Sequence, residues 1–170
     1  MDMYPGGNII RVSPTLSTDA YADSDVIFNL AEIPNAVSSR GGVSWLQAMF
    51  VLDKSDQQNT DMRFVFTEKN TNNLGTQNAT ADITADNLQA NKVIGTTVLN
   101  RGGSTGGNID NAVINQVMNA SGDGEAGTPL ILLKADEGST SCYVSAFIEA
   151  GTQTIAADSL ELILHIKYLG

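Results

Sequence analysis

The chain reads as all-β: an antiparallel β-sandwich of jelly-roll type, with one or two short helices and an extended N-terminal arm. Three observations support this. Ser, Thr, Asn and Gln supply 13, 15, 15 and 7 of its 170 residues. Their side chains compete with the backbone for hydrogen bonds inside helices but suit strands, turns and loops. Sixteen glycines punctuate the chain. Between them, about seven to nine segments carry strand patterning at turn-marked spacing, as in sandwiches and jelly rolls. No repeat of solenoid period is present.

Residues 1–24 form the expected arm. Pro5-Gly6-Gly7 and Pro14 interrupt any regular element, and Asp19 and Asp23 keep the later part solvated. Ile9 and Ile10 give the arm a short apolar grip, and Tyr4 lies near its start. The remaining 146 residues, 25–170, form one domain. A chain of this length buries roughly two-thirds of its unfolded surface on folding.

Strand patterns begin at Val26–Ile33. Val43–Leu52 follows the turn formers Pro34-Asn35 and Gly41-Gly42. Strict alternation puts Val43, Trp45, Gln47, Met49 and Val51 on one face and Ser44, Leu46, Ala48, Phe50 and Leu52 on the other. Both faces are mostly apolar, so this strand needs cover on both sides. Trp45, Leu46, Met49 and Phe50 are therefore expected to divide between the core and whatever covers the other face. The polar stretch 53–61 then leads to Met62–Glu68, where Met62, Phe64 and Phe66 alternate with Arg63, Val65 and Thr67.

Thr84–Asn91 is the best helix candidate, with Thr84 as its cap. Lys92–Leu99 returns to strand character. Arg101–Asn108 is a glycine-rich loop, and Ile109–Met118 fits a helix face and a β-branched strand equally. Pro129 opens the buried run Leu130–Leu133, and Ser141–Ala150 follows. In Leu160–Leu169 the residues Leu160, Leu162, Leu164, Ile166 and Tyr168 share one face, the strongest alternation in the chain. Its other face carries Glu161, Ile163, His165, Lys167 and Leu169.

Charge narrows the partners. Nine Lys and Arg face 19 carboxylates, a formal net charge of −10. That balance argues against nucleic acid and against anionic membranes. No stretch reaches the roughly 18 apolar residues of a spanning helix, and no signal peptide opens the chain.

The residue chemistry is sparse. Cys142 is the only cysteine and His165 the only histidine. No motif supplies them with an acid, and a single histidine makes a zinc site improbable. Asp53, Asp56, Asn59 and Asp61 offer hard oxygen atoms but lack the spacing of a calcium loop. Asp123 and Glu125 lack a converging carboxylate. Arg101–Gly107 lacks the Lys-Ser/Thr of a phosphate loop. The expectation is no catalytic residue, metal, cofactor or small-molecule substrate.

The run Glu32-Ile33-Pro34-Asn35-Ala36-Val37, then Gly41-Gly42, then Val51-Leu52-Asp53-Lys54-Ser55-Asp56-Gln57, resembles small structural proteins of tailed bacteriophages, notably marine and cyanobacterial phages. Leu74-Gly75-Thr76, Leu132-Leu133-Lys134-Ala135, Gly138–Val144 and Leu160–Gly170 extend the likeness in the same order, while 101–127 departs from it. The resemblance implies a capsid decoration (cement) protein with no catalytic residues to carry over. Its partner would be the major capsid protein on the head exterior, after synthesis in a bacterial cytoplasm. A homotrimer suits such a symmetric assembly. The interface candidates are Trp45, Leu46, Met49, Phe50, Tyr4, Ile9 and Ile10. A tail or appendage module binding a host glycan or receptor is the alternative, and a jelly-roll hydrolase a more distant third.

Overall fold

The fold is a computed structural model that describes residues 6–54, 61–100, 106–109, 112–117, 119–120, 126–127 and 131–169. It is all-β with one short helix, and its sheets are antiparallel. The strands are β1 (Gly7–Val12), β2 (Ala20–Tyr21), β3 (Val26–Ile33), β4 (Val43–Asp53) and β5 (Asp61–Thr67). After α1 (Ala85–Asn91) come β6 (Val93–Leu99), β7 (Gly106–Ile109), β8 (Ala112–Gln116), β9 (Asn119–Ala120), β10 (Ala126–Gly127) and β11 (Ile131–Lys134). The set ends with β12 (Cys142–Ala150), β13 (Gln153–Thr154) and β14 (Leu160–Leu169).

Two sheets organise the molecule. The first runs β1-β14-β4-β8-β7, with β11 also paired to β4. The second runs β3-β12-β5-β6. Two small pairs, β2 with β13 and β9 with β10, lie outside them. One buried cluster draws on both main sheets: Ile10, Leu46, Met49, Leu162 and Leu164 from the first, Ile33, Phe64, Phe66, Val144 and Ile148 from the second. Alternation explains the sharing, since every second residue of each strand faces the opposite sheet.

The alternations read for β5 and β14 hold residue by residue. Met62, Phe64 and Phe66 are in the shared core, as are Leu160, Leu162, Leu164 and Ile166, with Tyr168 packed against it. The ambiguous 109–118 region is strand, because β8 pairs with both β4 and β7. The helix forms where expected. Thr84 is extended (φ −90°, ψ 155°) and its Oγ1 accepts the Asn87 amide at 3.1 Å, satisfying a first-turn donor. Lys92 in the left-handed region ends it.

Two expectations need correction. The arm 1–24 is part of the fold from Gly7 onward. β1 pairs along its full length with β14, and Ile10, Val12, Leu16 and Tyr21 are buried. Ile10 is therefore core and not an assembly contact. The short alternation Ile9-Ile10-Arg11-Val12 is enough to make an edge strand when a long apolar neighbour offers unpaired backbone groups. Tyr4, Asp56, Asn59, Asp123, Glu125 and 101–105 lie outside the described residues.

The second correction concerns β4. Its buried residues are Ser44 and Leu46, then Met49, Val51 and Asp53, so the parity changes at Gln47. Against β14, His165 pairs with Ala48 while the next residue, Ile166, pairs with Leu46. Gln47 is the extra residue of a β-bulge, exposed and skipped by the ladder. Strict alternation would have grouped Trp45 with Met49 and Leu46 with Phe50. The bulge instead sends Leu46 and Met49 inward and Trp45 and Phe50 outward.

Candidate interaction surface

Because Leu46, Met49, Leu162 and Leu164 face the core, their neighbours along β4 and β14 face away from it. Register assembles these outward residues into rows across the first sheet. Ile9 lies opposite His165, and His165 opposite Ala48. Arg11 lies opposite Ile163, Ile163 opposite Phe50, and Phe50 opposite Gln116. Lys167 lies opposite Trp45, and Trp45 opposite Leu132. Glu161, Leu52 and Ile114 complete a fourth row. Ile9 is 57% exposed and Leu132 41%, whereas Trp45 and Phe50 are partly covered.

Within this face Phe50 and His165 meet in a tilted ring contact, centroids 5.2 Å apart. Arg11 is paired with Glu161. Lys167 is exposed and makes no ion pair among the described residues. Glu161 is the one carboxylate in these rows, so the face escapes the strong negative charge of the chain as a whole.

The second sheet is treated differently. Its outward residues Val26, Leu30, Val65 and Phe147 form a second apolar cluster with Leu74, Ala81, Ile83 and Leu88. Residues 74–88, including most of α1, thus cover that face from within the chain. Two polar anchors hold the cover, the half-buried Asn29 and the fully buried Asn91. Asn29 accepts the Leu74 amide at 2.9 Å and donates to the Gly75 carbonyl at 2.5 Å. Asn91 accepts the Thr71 and Asn72 amides at 2.8 and 3.0 Å and donates to the Asn72 carbonyl at 2.6 Å. A bulge aims Asn29: β3 skips Asn29 and Leu30 against β12, and Leu30 (φ +26°) donates its amide to the Ser145 hydroxyl at 2.8 Å.

Among the described residues the reactive side chains do not converge. Cys142 lies in the second sheet and faces the core, its thiol donating to the Lys134 carbonyl at 3.1 Å. Burial pushes that thiol up to about 12. His165 sits on the far, outward face of the first sheet. Asp53 is buried at the inner end of β4, where the Gln153 amide donates to it at 3.2 Å.

Charged side chains instead stitch strand ends together. Lys92 reaches Asp136 at 3.2 Å and Glu68 at 3.4 Å, Lys69 reaches Asp136 at 3.3 Å, and Lys134 reaches Glu68 at 3.2 Å. The Lys92 bond holds the Asp136 carboxyl below its usual range, and Asp136 in turn raises Lys92.

Alternation alone could not reveal the outward rows, because Ile9, Ile114, Ile163 and Leu132 come from four separated segments. The misfit Gln47 inside an apolar strand was the available signal for the bulge. No protein-family model and no curated protein matches the sequence.

Proposed function

We propose that this chain is a non-enzymatic structural protein of a tailed-phage virion, a capsid decoration (cement) protein. In this reading it binds the major capsid protein on the head exterior as a homotrimer and stabilises the shell. The carrying observation is the contrast between the sheets. The second is covered on its outer face by residues 74–88, whereas the first presents outward rows in which Ile9 and Leu132 are exposed, Trp45 and Phe50 half-buried and Ile163 buried among them. A monomer of net charge −10 has no evident use for such a face, and apolar rows of this extent mark protein contacts. β1, β14, β4 and β8, of 6, 10, 11 and 5 residues, give roughly 500 Å2 of sheet, short of the ~800 Å2 per partner of a standard interface.

The strand order supports a jelly roll. β1-β14-β4-β8 in one sheet and β3-β12-β5-β6 in the other is the order reached when two Greek keys fold over each other. Along the chain β1, β3, β4 and β5 alternate between the sheets, as do β6, β8, β12 and β14. This architecture is common in virion proteins, which places it beside the resemblance as support.

Expanded heads carrying and lacking the protein would be heated and osmotically shocked. Greater resistance in the decorated heads is expected, and equal resistance would sink the cementing role. The double variant Trp45→Ser, Phe50→Ser should keep the thermal midpoint of the free protein within a few degrees yet fail to bind heads. By contrast Leu46→Ala or Met49→Ala should cost about 2–5 kcal/mol of folding stability by opening core cavities. Gold-labelled antibody on intact virions separates this reading from a tail or appendage module.

A further inference from the structure

β3 ends the second sheet and β1 ends the first, and the two open edges border one trough. Its cavity volume is about 680 Å3. The floor is β3 itself, contributing Phe28, Asn29 and Ala31, with Glu32 and Pro34 at the far end. One wall continues β1 from Arg11 to Thr15, and the other is 73–77. Gln77 closes one end, its amide donating to the Thr15 and Ile27 carbonyls at 2.9 Å each. The other end opens at Glu32 and Pro34.

A terminal strand leaves a row of backbone groups facing away from its neighbour. Over Val26 and Ile27 this row is taken. The Val26 amide donates to the Ala79 carbonyl, the Val26 carbonyl accepts the Asn78 amide, and the Ile27 carbonyl accepts Gln77 and the Tyr21 hydroxyl. From Phe28 to Ile33 no described residue takes it. That open stretch, with Pro34, runs roughly 20 Å at ~3.3 Å per residue.

We infer that the trough receives an extended segment of a different protein, added as a strand along the open edge of β3 and carrying a basic side chain near Glu32. Strand addition suits the site because main-chain hydrogen bonds supply the affinity and the walls read alternate side chains. Charge selects the occupant. Glu32 is exposed, accepts a hydrogen bond from the Ser141 hydroxyl at 2.6 Å, and has no counter-ion among the described residues. Two β3 edges pairing with each other would bring two such carboxylates together in chains already strongly acidic. The Asn29–Leu30 bulge, the edge carboxylate and Pro34 are also features that discourage indiscriminate self-pairing. The inference stands apart from the virion reading, since it rests on a different edge of the molecule.

The test selects eight-residue peptides from a random displayed library on the full chain, then measures the enriched peptides by fluorescence polarisation. Enrichment of a basic residue is expected, with roughly tenfold weaker binding once alternate peptide amides are N-methylated. Ala31→Arg, which puts a long side chain into the trough from a half-buried position at the border of the core, should abolish binding, and Glu32→Gln, at an exposed position, should weaken it severalfold while leaving the fold intact. Hydrogen exchange should show new protection confined to 28–33. Failure to enrich, full affinity for N-methylated peptides, or unchanged binding to Ala31→Arg would each overturn the proposal. So would a dimer of the free chain that Ala31→Arg dissolves, because the occupant would then be a second copy.

Discussion

Asn91 shows how much a single polar side chain can organise. It is fully buried, and its amide group satisfies three backbone groups of Thr71 and Asn72. Asn91→Ala would leave those groups to find water or go unpaired, so a loss of about 2–3 kcal/mol is expected in urea unfolding. Cys142 makes a prediction about pH. Burial raises its thiol from 9.0 to about 12 in the folded chain, so the unfolded chain gives up the proton first. Stability should therefore be indifferent to this group below pH 9 and fall as pH rises from 9 towards 12. At pH 8 a thiol reagent should label Cys142 only as fast as the protein opens. Of these two residues Cys142 falls within the strand pattern Ser141–Ala150 that the sequence shows, where a small apolar side chain is commonly buried. The role of Asn91 was not legible, because an Asn at a helix end ordinarily reads as a surface residue, and its loop partners lie about 20 positions away.

Among the elements, β4 decides which residues are core and which face outward. Its bulge at Gln47 exchanges the faces of everything after it. Deleting Gln47 should remove the bulge and leave Leu46, Ala48, Met49, Phe50 and Val51 in regular alternation on the faces they already hold, and the expected result is a chain that keeps a cooperative thermal transition. Gln47→Ala, which keeps the residue count, should change stability by less than about 0.5 kcal/mol. That β4 and β14 are strands, and most of their limits, followed from sequence pattern. The bulge did so only in part: the polar Gln47 marks a misfit in the apolar run, but its being an extra residue shows only in the register against β14. β1 was missed for a related reason. Six residues near Gly and Pro carry little pattern, and the strand exists because β14 supplies a matching edge.

At the scale of the molecule, the two sheets divide labour: one is sealed by the chain itself, the other faces outward. The division was only partly legible. The apolar character of both faces of β4 announced a need for cover, but the rows of Ile9, Ile163, Trp45 and Leu132 arise from pairings between residues more than 80 apart. Removing residues 1–12 tests the whole. It strips β1 from β14, exposes a long apolar edge and removes Ile10 and Val12 from the core. Such a chain should collect in aggregates, monitored by light scattering, because an uncovered edge of this kind templates further pairing.

The pairing of β1 with β14 also sets a clock. β14 lies between β1 and β4 in the first sheet, so residues 7–12 have no partner until residues 162–167 have been made. At ribosomal rates of roughly 5–20 residues per second, that leaves the first strand waiting for many seconds. The outward rows on Trp45 and Ile163 cannot exist before then. A truncated or nascent chain therefore has no such face to offer, and only a chain synthesised through β14 presents it.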